Sequence, residues 1–160
     1  MDALGLQTLA SELEADVVVV VAAIDLAGRR FAEATPSGHD SAAHHLSRAY
    51  NVIEQMALRV AKVFENNVDD ERGWHSELIR RLSIRIEGVR PPLFTAELRP
   101  PLQELSAFRH LFVHAYDLTI DPERLRLVLK HADVVRERIP GLVSVFVAAV
   151  ADEQGLERPR

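Results

Sequence analysis

The chain has no cysteine. That absence rules out disulfide staples and thiolate metal centres, and it fits a reducing compartment. Lysine is nearly absent too, with Lys62 and Lys130 set against 17 arginines. Arginine suits bidentate phosphate contacts, although a GC-rich coding sequence produces the same bias. A large positive charge is also missing. The net charge is −5, so nothing global favours a polyanion, and any nucleic-acid site has to be a local basic patch. The longest apolar run, VVVVVAAI from Val17 to Ile24, lies between Asp16 and Asp25. It is far short of the ~20 apolar residues of a membrane span. The opening MDALGLQTLASELE lacks the basic segment of an export signal. These features lead us to expect a cytoplasmic protein with no membrane partner.

What is present is helical periodicity. The 160 residues, 48% of them hydrophobic, are enough for one domain with a real core. Leu6, Leu9, Leu13, Val17, Val20 and Ile24 step by three or four along a first helix, and this register outweighs the strand preference of the valines. After TPSGHDS, read as a loop with Asp40 or Ser41 as cap, a second helix carries Leu46, Tyr50, Ile53, Ala57, Val60 and Phe64 inward. A short third helix holds Trp74, Leu78 and Leu82 and ends before EGVRPP. Pro100 and Pro101 open a fourth, with Leu102, Leu105, Phe108, Phe112 and Ala115 on its core face. DPER starts a fifth at Asp121 and Pro122, with Leu125, Val128, Ala132, Val135 and Ile139 inward. Pro140-Gly141 should break it, leaving LVSVFVAAVADE as a last helix. The pattern predicts an all-α, up-and-down bundle of five or six helices in a single domain, residues 1–160, with no strand.

The fourth helix, expected over about residues 101–118, carries an unusual polar group: AFRHLFVHAYDL places Arg109, His110, His114 and Tyr116 within eight positions. Arg109 and Tyr116 share one edge of the helix, and His110 and His114 share the other. At about 100° per residue, Arg109 and His114 diverge by roughly 140°. They could serve one phosphate only if the helix distorts or two chains bring their copies together. As chemistry, the pair suits RNA cleavage without metal. Histidine can take the proton of a ribose 2′-hydroxyl or give one to the leaving oxygen. Arginine can stabilise charge building on the phosphoryl oxygens.

Spacing alone does not establish that chemistry. Arg-x-x-x-x-His recurs at Arg126 and His131, where a solvated helix face is the natural reading. His110 and His114 at i, i+4 could bind zinc, but no HExxH glutamate lies between them and no third ligand is near in sequence. We therefore expect no metal and no cofactor. His39, His44 and His45 in GHDSAAHH read as unremarkable residues of a loop and helix start, and His75 as a surface residue.

The full string RHLFVHAY resembles the R-x-x-x-x-H-x-Y signature of HEPN-domain ribonucleases, specifically the HepT toxins of HepT–MntA toxin–antitoxin pairs. His110 matches the polar residue that follows the arginine in the wider superfamily. The stretches WHSELIRRLSIRIEGVRPPL and ELSAFRHLFVHAYDLTIDPERL extend the likeness over roughly residues 45 to 140. The resemblance implies a HEPN helical bundle that forms a homodimer, with the motif at or near the interface. It implies a metal-independent endoribonuclease, with RNA as substrate and Arg109 and His114 as the catalytic pair, supported by His110. It also implies a nucleotidyltransferase antitoxin of the MNT type as partner, which silences the toxin by adding AMP to Tyr116. Two other readings remain: a non-catalytic HEPN subunit that binds a nucleotidyltransferase or nucleotide, and a plain helical interaction module. The resemblance leaves one demand unmet, because an acidic chain needs a compensating basic patch. Arg80, Arg81, Arg85, Arg90 and Arg99 are the candidates for it, against acidic residues Glu65, Asp69, Asp70 and Glu71.

Overall fold

The computed structural model describes residues 1–65, 74–114 and 119–159, with backbone alone at 74–76. Five α-helices account for most of them: α1 (Ala3–Ala32), α2 (Pro36–Phe64), α3 (Trp74–Leu82), α4 (Arg99–His114) and α5 (Pro122–Gln154). A 3-10 turn, Ala96–Leu98, leads into α4. No strand occurs among the described residues, where pairing is confined to one isolated bridge between Ile86 and Arg90. The fold is all-α, as the periodicity requires.

The helix α1 begins at Asp2, whose side chain accepts the Gly5 amide at 2.8 Å. Its buried face is Leu6, Leu9, Leu13, Val17, Val20 and Ile24. The valine run is helical because only a helical register buries Val17 and Val20 together; Val18 between them is 68% exposed.

The second helix starts earlier than Asp40 or Ser41. The cap is Thr35, whose hydroxyl accepts from the Gly38 amide at 3.0 Å, and Pro36 occupies the first turn. A proline there gives up no hydrogen bond, so TPSG opens the helix and is not a loop. Gly38 is required by close approach, since a Cβ at that position would lie 2.6 Å from the Arg30 carbonyl oxygen. The result is a tight α1–α2 hairpin. Thr35→Ala should cost about 1 kcal/mol, read as a lower midpoint in urea with an unchanged slope.

The short α3 buries Leu78, Ile79 and Leu82; the side chain of Trp74 lies outside the described residues. Two amides, of Leu93 and Phe94, both donate to the Leu82 carbonyl and close the helix end. Leu93 and Phe94 are themselves buried, so the PPLF segment caps α3 and joins the core.

The prolines Pro100 and Pro101 occupy the first turn of α4, as expected. Leu102, Leu105 and Phe108 are buried, and Phe112 stacks on Phe108 with ring centres 6.1 Å apart. The helix is regular to His114. Ala115, Tyr116, Asp117 and Leu118 lie outside the described residues.

Asp121 caps α5, accepting from the Glu123 amide at 3.0 Å. The expected break at Pro140-Gly141 does not occur, and α5 runs unbroken to Gly155, whose φ of 65° ends it. Pro140 is exposed, so the carbonyl that loses its partner can turn to water. On the opposite side Val135, Ile139, Val143, Phe146 and Val150 form one continuous buried stripe, which holds the two halves in line.

The order of packing follows from these faces. The α1–α2 hairpin lies against α5 on one side, while α4 fits between α2 and α5. Among the described residues, the buried apolar side chains belong to one hydrophobic cluster.

Candidate functional site

A polar contact joins α2 to α4 at the motif arginine. Arg109 is partly buried, and its Nε donates to Asn51 Oδ1 on α2 at 2.8 Å. One terminal nitrogen lies 3.9 Å from Glu54 Oε2. Glu54 sits one helical turn beyond Tyr50 on the inner face of α2, and its side chain is only 4% exposed. Tyr50 is fully buried, with its hydroxyl beside Ser106 of α4. Burial holds the Tyr50 phenol above its ordinary range, and the Glu54 carboxylate adds to this. Ser106 and the Arg109 charge partly offset the effect.

Arg109 is therefore held by a pre-formed acceptor set. Its fork has one edge turned toward α2, and 29% of the side chain stays open to solvent. An arginine fixed this way loses less rotamer freedom when a phosphate arrives than one free on the surface.

The histidines lie on the other edge of the helix. His110 and His114 are both exposed, and their rings meet edge to face with centres 4.5 Å apart. α4 keeps its α-helical form through His114. No local distortion swings His114 round to Arg109, and in one chain the two occupy different edges. Tyr116, the fourth motif residue, lies outside the described residues.

His39, His44 and His45 fall within α2, and the side chain of His75 lies outside the described residues. His39 packs on Phe31 and His44 on His45. Among the described residues, no three His, Asp or Glu side chains gather in a way that could hold a metal ion. Arg126 of the second Arg-x-x-x-x-His is exposed, pairs with Glu123 at 2.7 Å and lies over the Phe31 ring. His45 carries a separate consequence. Its Nδ1 is buried with no hydrogen-bond partner, and burial, then His44, Arg48 and Arg30, hold its pKa below the ordinary value. The unfolded chain takes up this proton near pH 6.5 and the folded chain only at lower pH. Stability should therefore fall as pH drops from about 6.5 toward the folded value, and this contribution should stay level above about 6.5. His45→Gln should flatten that part of a stability–pH curve measured by urea unfolding.

Four of the five arginines proposed as a basic patch pair with carboxylates. Arg90 is fully buried: Nε donates to Glu65 Oε1 at 2.7 Å, and the terminal nitrogens reach the carbonyls of Ile84, Pro91 and Arg81. Arg81 pairs with the same Glu65, Arg80 with Glu77, and Arg85 with Glu153. Arg99 is half-buried. Four of the five thus face carboxylates, and Arg90 with Glu65 forms a structural clamp. Asp69, Asp70 and Glu71 lie outside the described residues.

Sequence reasoning missed Asn51 and Glu54. The signal for Glu54 was available, since it stands within the apolar stripe between Ile53 and Ala57, where a carboxylate needs a partner. Asn51 gave no such signal, because its role depends on which face of α4 lands beside it.

These features define a class: an all-α bundle whose fourth described helix carries an anchored arginine and, in its last described turn, an exposed histidine pair. A family model described as HepT-like protein matches residues 41–150, a span that includes α3, α4 and most of α2 and α5. The chain belongs to this HepT-like family. No curated protein and no solved structure matches it. Among the described residues, no helix is long and apolar enough to cross a membrane.

Proposed function

We propose that this protein is a metal-independent endoribonuclease toxin acting as a homodimer. The ribose 2′-hydroxyl would attack the adjacent phosphorus in line and expel the 5′-oxygen. His114 would transfer the protons as general base or acid, and Arg109 would bear the charge on the phosphoryl oxygens. His110, edge-on to His114, would support its ring. The bond broken is P–O5′, and the products are a 2′,3′-cyclic phosphate and a 5′-hydroxyl. A nucleotidyltransferase antitoxin would silence the site by adding AMP to Tyr116, placing bulk and negative charge beside the RNA path.

The observation that carries this reading is the state of Arg109 inside a family match: anchored by Asn51, yet still open to solvent. The regular helix adds the second element of the proposal. Because Arg109 and His114 occupy different edges of one chain, the working pair combines Arg109 of one subunit with His114 of the other.

Expression of the chain alone tests the reading in cells. Wild type should arrest growth, and His114→Ala should not. Co-expression with a nucleotidyltransferase of the antitoxin type should restore growth and add the mass of AMP to the protein, an addition lost in Tyr116→Phe. Unimpeded growth with abundant, unmodified wild-type protein would favour the non-catalytic binding subunit.

A further inference from the structure

We infer that Asn51 and Glu54 of α2 are positioning residues that aim Arg109 at the phosphate. This inference rests on the ribonuclease reading above and names two residues of that site that lie on another helix.

The geometry assigns the two residues different tasks. Asn51 accepts the Nε hydrogen of Arg109 at 2.8 Å, across 58 residues of sequence. That bond restrains the plane of the guanidinium, because the Nε–H lies in that plane. Glu54 lies behind it, with 4% of its side chain exposed, 3.9 Å from a terminal nitrogen. At that distance it is a counter-charge more than a hydrogen-bond partner. It draws the guanidinium toward α2 and keeps it from extending freely into solvent. Tyr50 is buried on the same face of α2, one turn before Glu54.

The electrostatics give this arrangement a distinctive signature. A carboxylate close to a phosphate-binding arginine opposes RNA binding, because it adds negative charge near the anion. It is therefore not there to increase affinity. Its gain is orientation, and orientation is worth most in the transition state, when charge on the phosphoryl oxygens is largest. Removing the negative charge with Glu54→Gln should leave RNA binding equal or tighter while slowing the chemical step. A residue that only supports the fold would weaken both together, or neither. Asn51 should show the complementary pattern. Asn51→Ala loses the acceptor and should lower kcat about tenfold, the effect of one hydrogen bond to a charged group. Asn51→Asp keeps an acceptor oxygen at the same position and should restore most of kcat at saturating RNA, with KM raised by its added charge.

The test combines kcat and KM for a short RNA with the affinity of its uncleavable 2′-O-methyl counterpart, for wild type, Asn51→Ala, Asn51→Asp and Glu54→Gln. The expected result is a reduced kcat in Asn51→Ala and Glu54→Gln, no weaker binding in Glu54→Gln, and rescue by Asn51→Asp. An unchanged kcat in Asn51→Ala, or an Asn51→Asp variant as slow as Asn51→Ala, would overturn the assignment. A second readout is independent of catalysis. In ¹H–¹⁵N spectra of the arginine Nε groups, with the Arg109 signal identified by Arg109→Lys, a protected Nε–H should be present in wild type. It should be lost in Asn51→Ala and retained in Asn51→Asp. If wild type proves inert toward RNA, that signal still decides the point: its presence keeps Asn51 as the anchor of Arg109 while the ribonuclease reading fails. An unprotected Arg109 Nε–H in wild type removes the anchor itself.

Discussion

His114→Ala protein, purified as a folded dimer, is expected to cleave RNA 10²- to 10⁴-fold more slowly than wild type, the usual contribution of a positioned proton-transfer group. His114 is exposed, so its removal should leave the thermal midpoint nearly unchanged. Arg109→Ala should be as severe, because charge on the phosphoryl oxygens then has no partner. The placement of the two side chains supplies a sharper test than either variant alone. Arg109 turns toward α2, and His114 pairs with His110 on the other edge of α4. If one subunit supplies the arginine and the other the histidine, mixing the two inactive variants rebuilds one intact site in each mixed dimer. Random exchange of subunits should return about a quarter of the wild-type rate. No recovery after verified exchange would mean that each site draws both residues from one chain, or that both sites are needed at once.

Loss of Arg90 should be the most damaging change away from the motif. Arg90 is completely buried and donates to Glu65, also buried, and to three backbone carbonyls. These bonds tie the end of α2 to the segment between α3 and α4. Arg90→Ala leaves the buried Glu65 carboxylate with only the half-exposed Arg81 and those carbonyls short of a donor, at a cost of about 3 kcal/mol. In a chain of this size the thermal midpoint should fall on the order of 10 °C. Arg90→Met combined with Glu65→Leu removes both charges and should cost less than Arg90→Ala alone, since buried pairs exchanged for apolar groups are often neutral. Replacement of Arg80, whose partner Glu77 is exposed like itself, should change the midpoint little. Equal losses at Arg80 and Arg90 would contradict the clamp.

Much of the architecture could be read in advance because it depends on local rules. The register of Leu6 to Ile24 overrode the strand preference of the valines, and Asp121-Pro122 and Pro100-Pro101 marked helix starts that the structure retains. The errors came where tertiary packing outweighs local preference. Pro140 stops an isolated helix, but here Ile139 and Val143 are gripped by the core, and the proline faces water. The cap at Thr35 was legible in principle. TPSG offers a hydroxyl, a first-turn proline and a glycine amide in order, but the glycine's close approach to Arg30 belongs to the hairpin. The motif could be read as a string, whereas its surroundings could not. Asn51 and Glu54 reach Arg109 only through the crossing of α2 and α4, and five arginines that look alike in sequence differ in burial and partner. Arg90, counted as a candidate for RNA binding, is instead a core residue.

The most direct test of the central claim is RNA cleavage by the purified wild-type protein in EDTA, with identification of the product ends. Intact mass recorded on the same preparation would establish that Tyr116 carries no AMP. The account predicts cleavage that continues without metal, leaves 2′,3′-cyclic phosphate and 5′-hydroxyl ends, and is lost in His114→Ala. Unmodified dimer that leaves RNA intact, or cleavage that His114→Ala performs equally well, would contradict it.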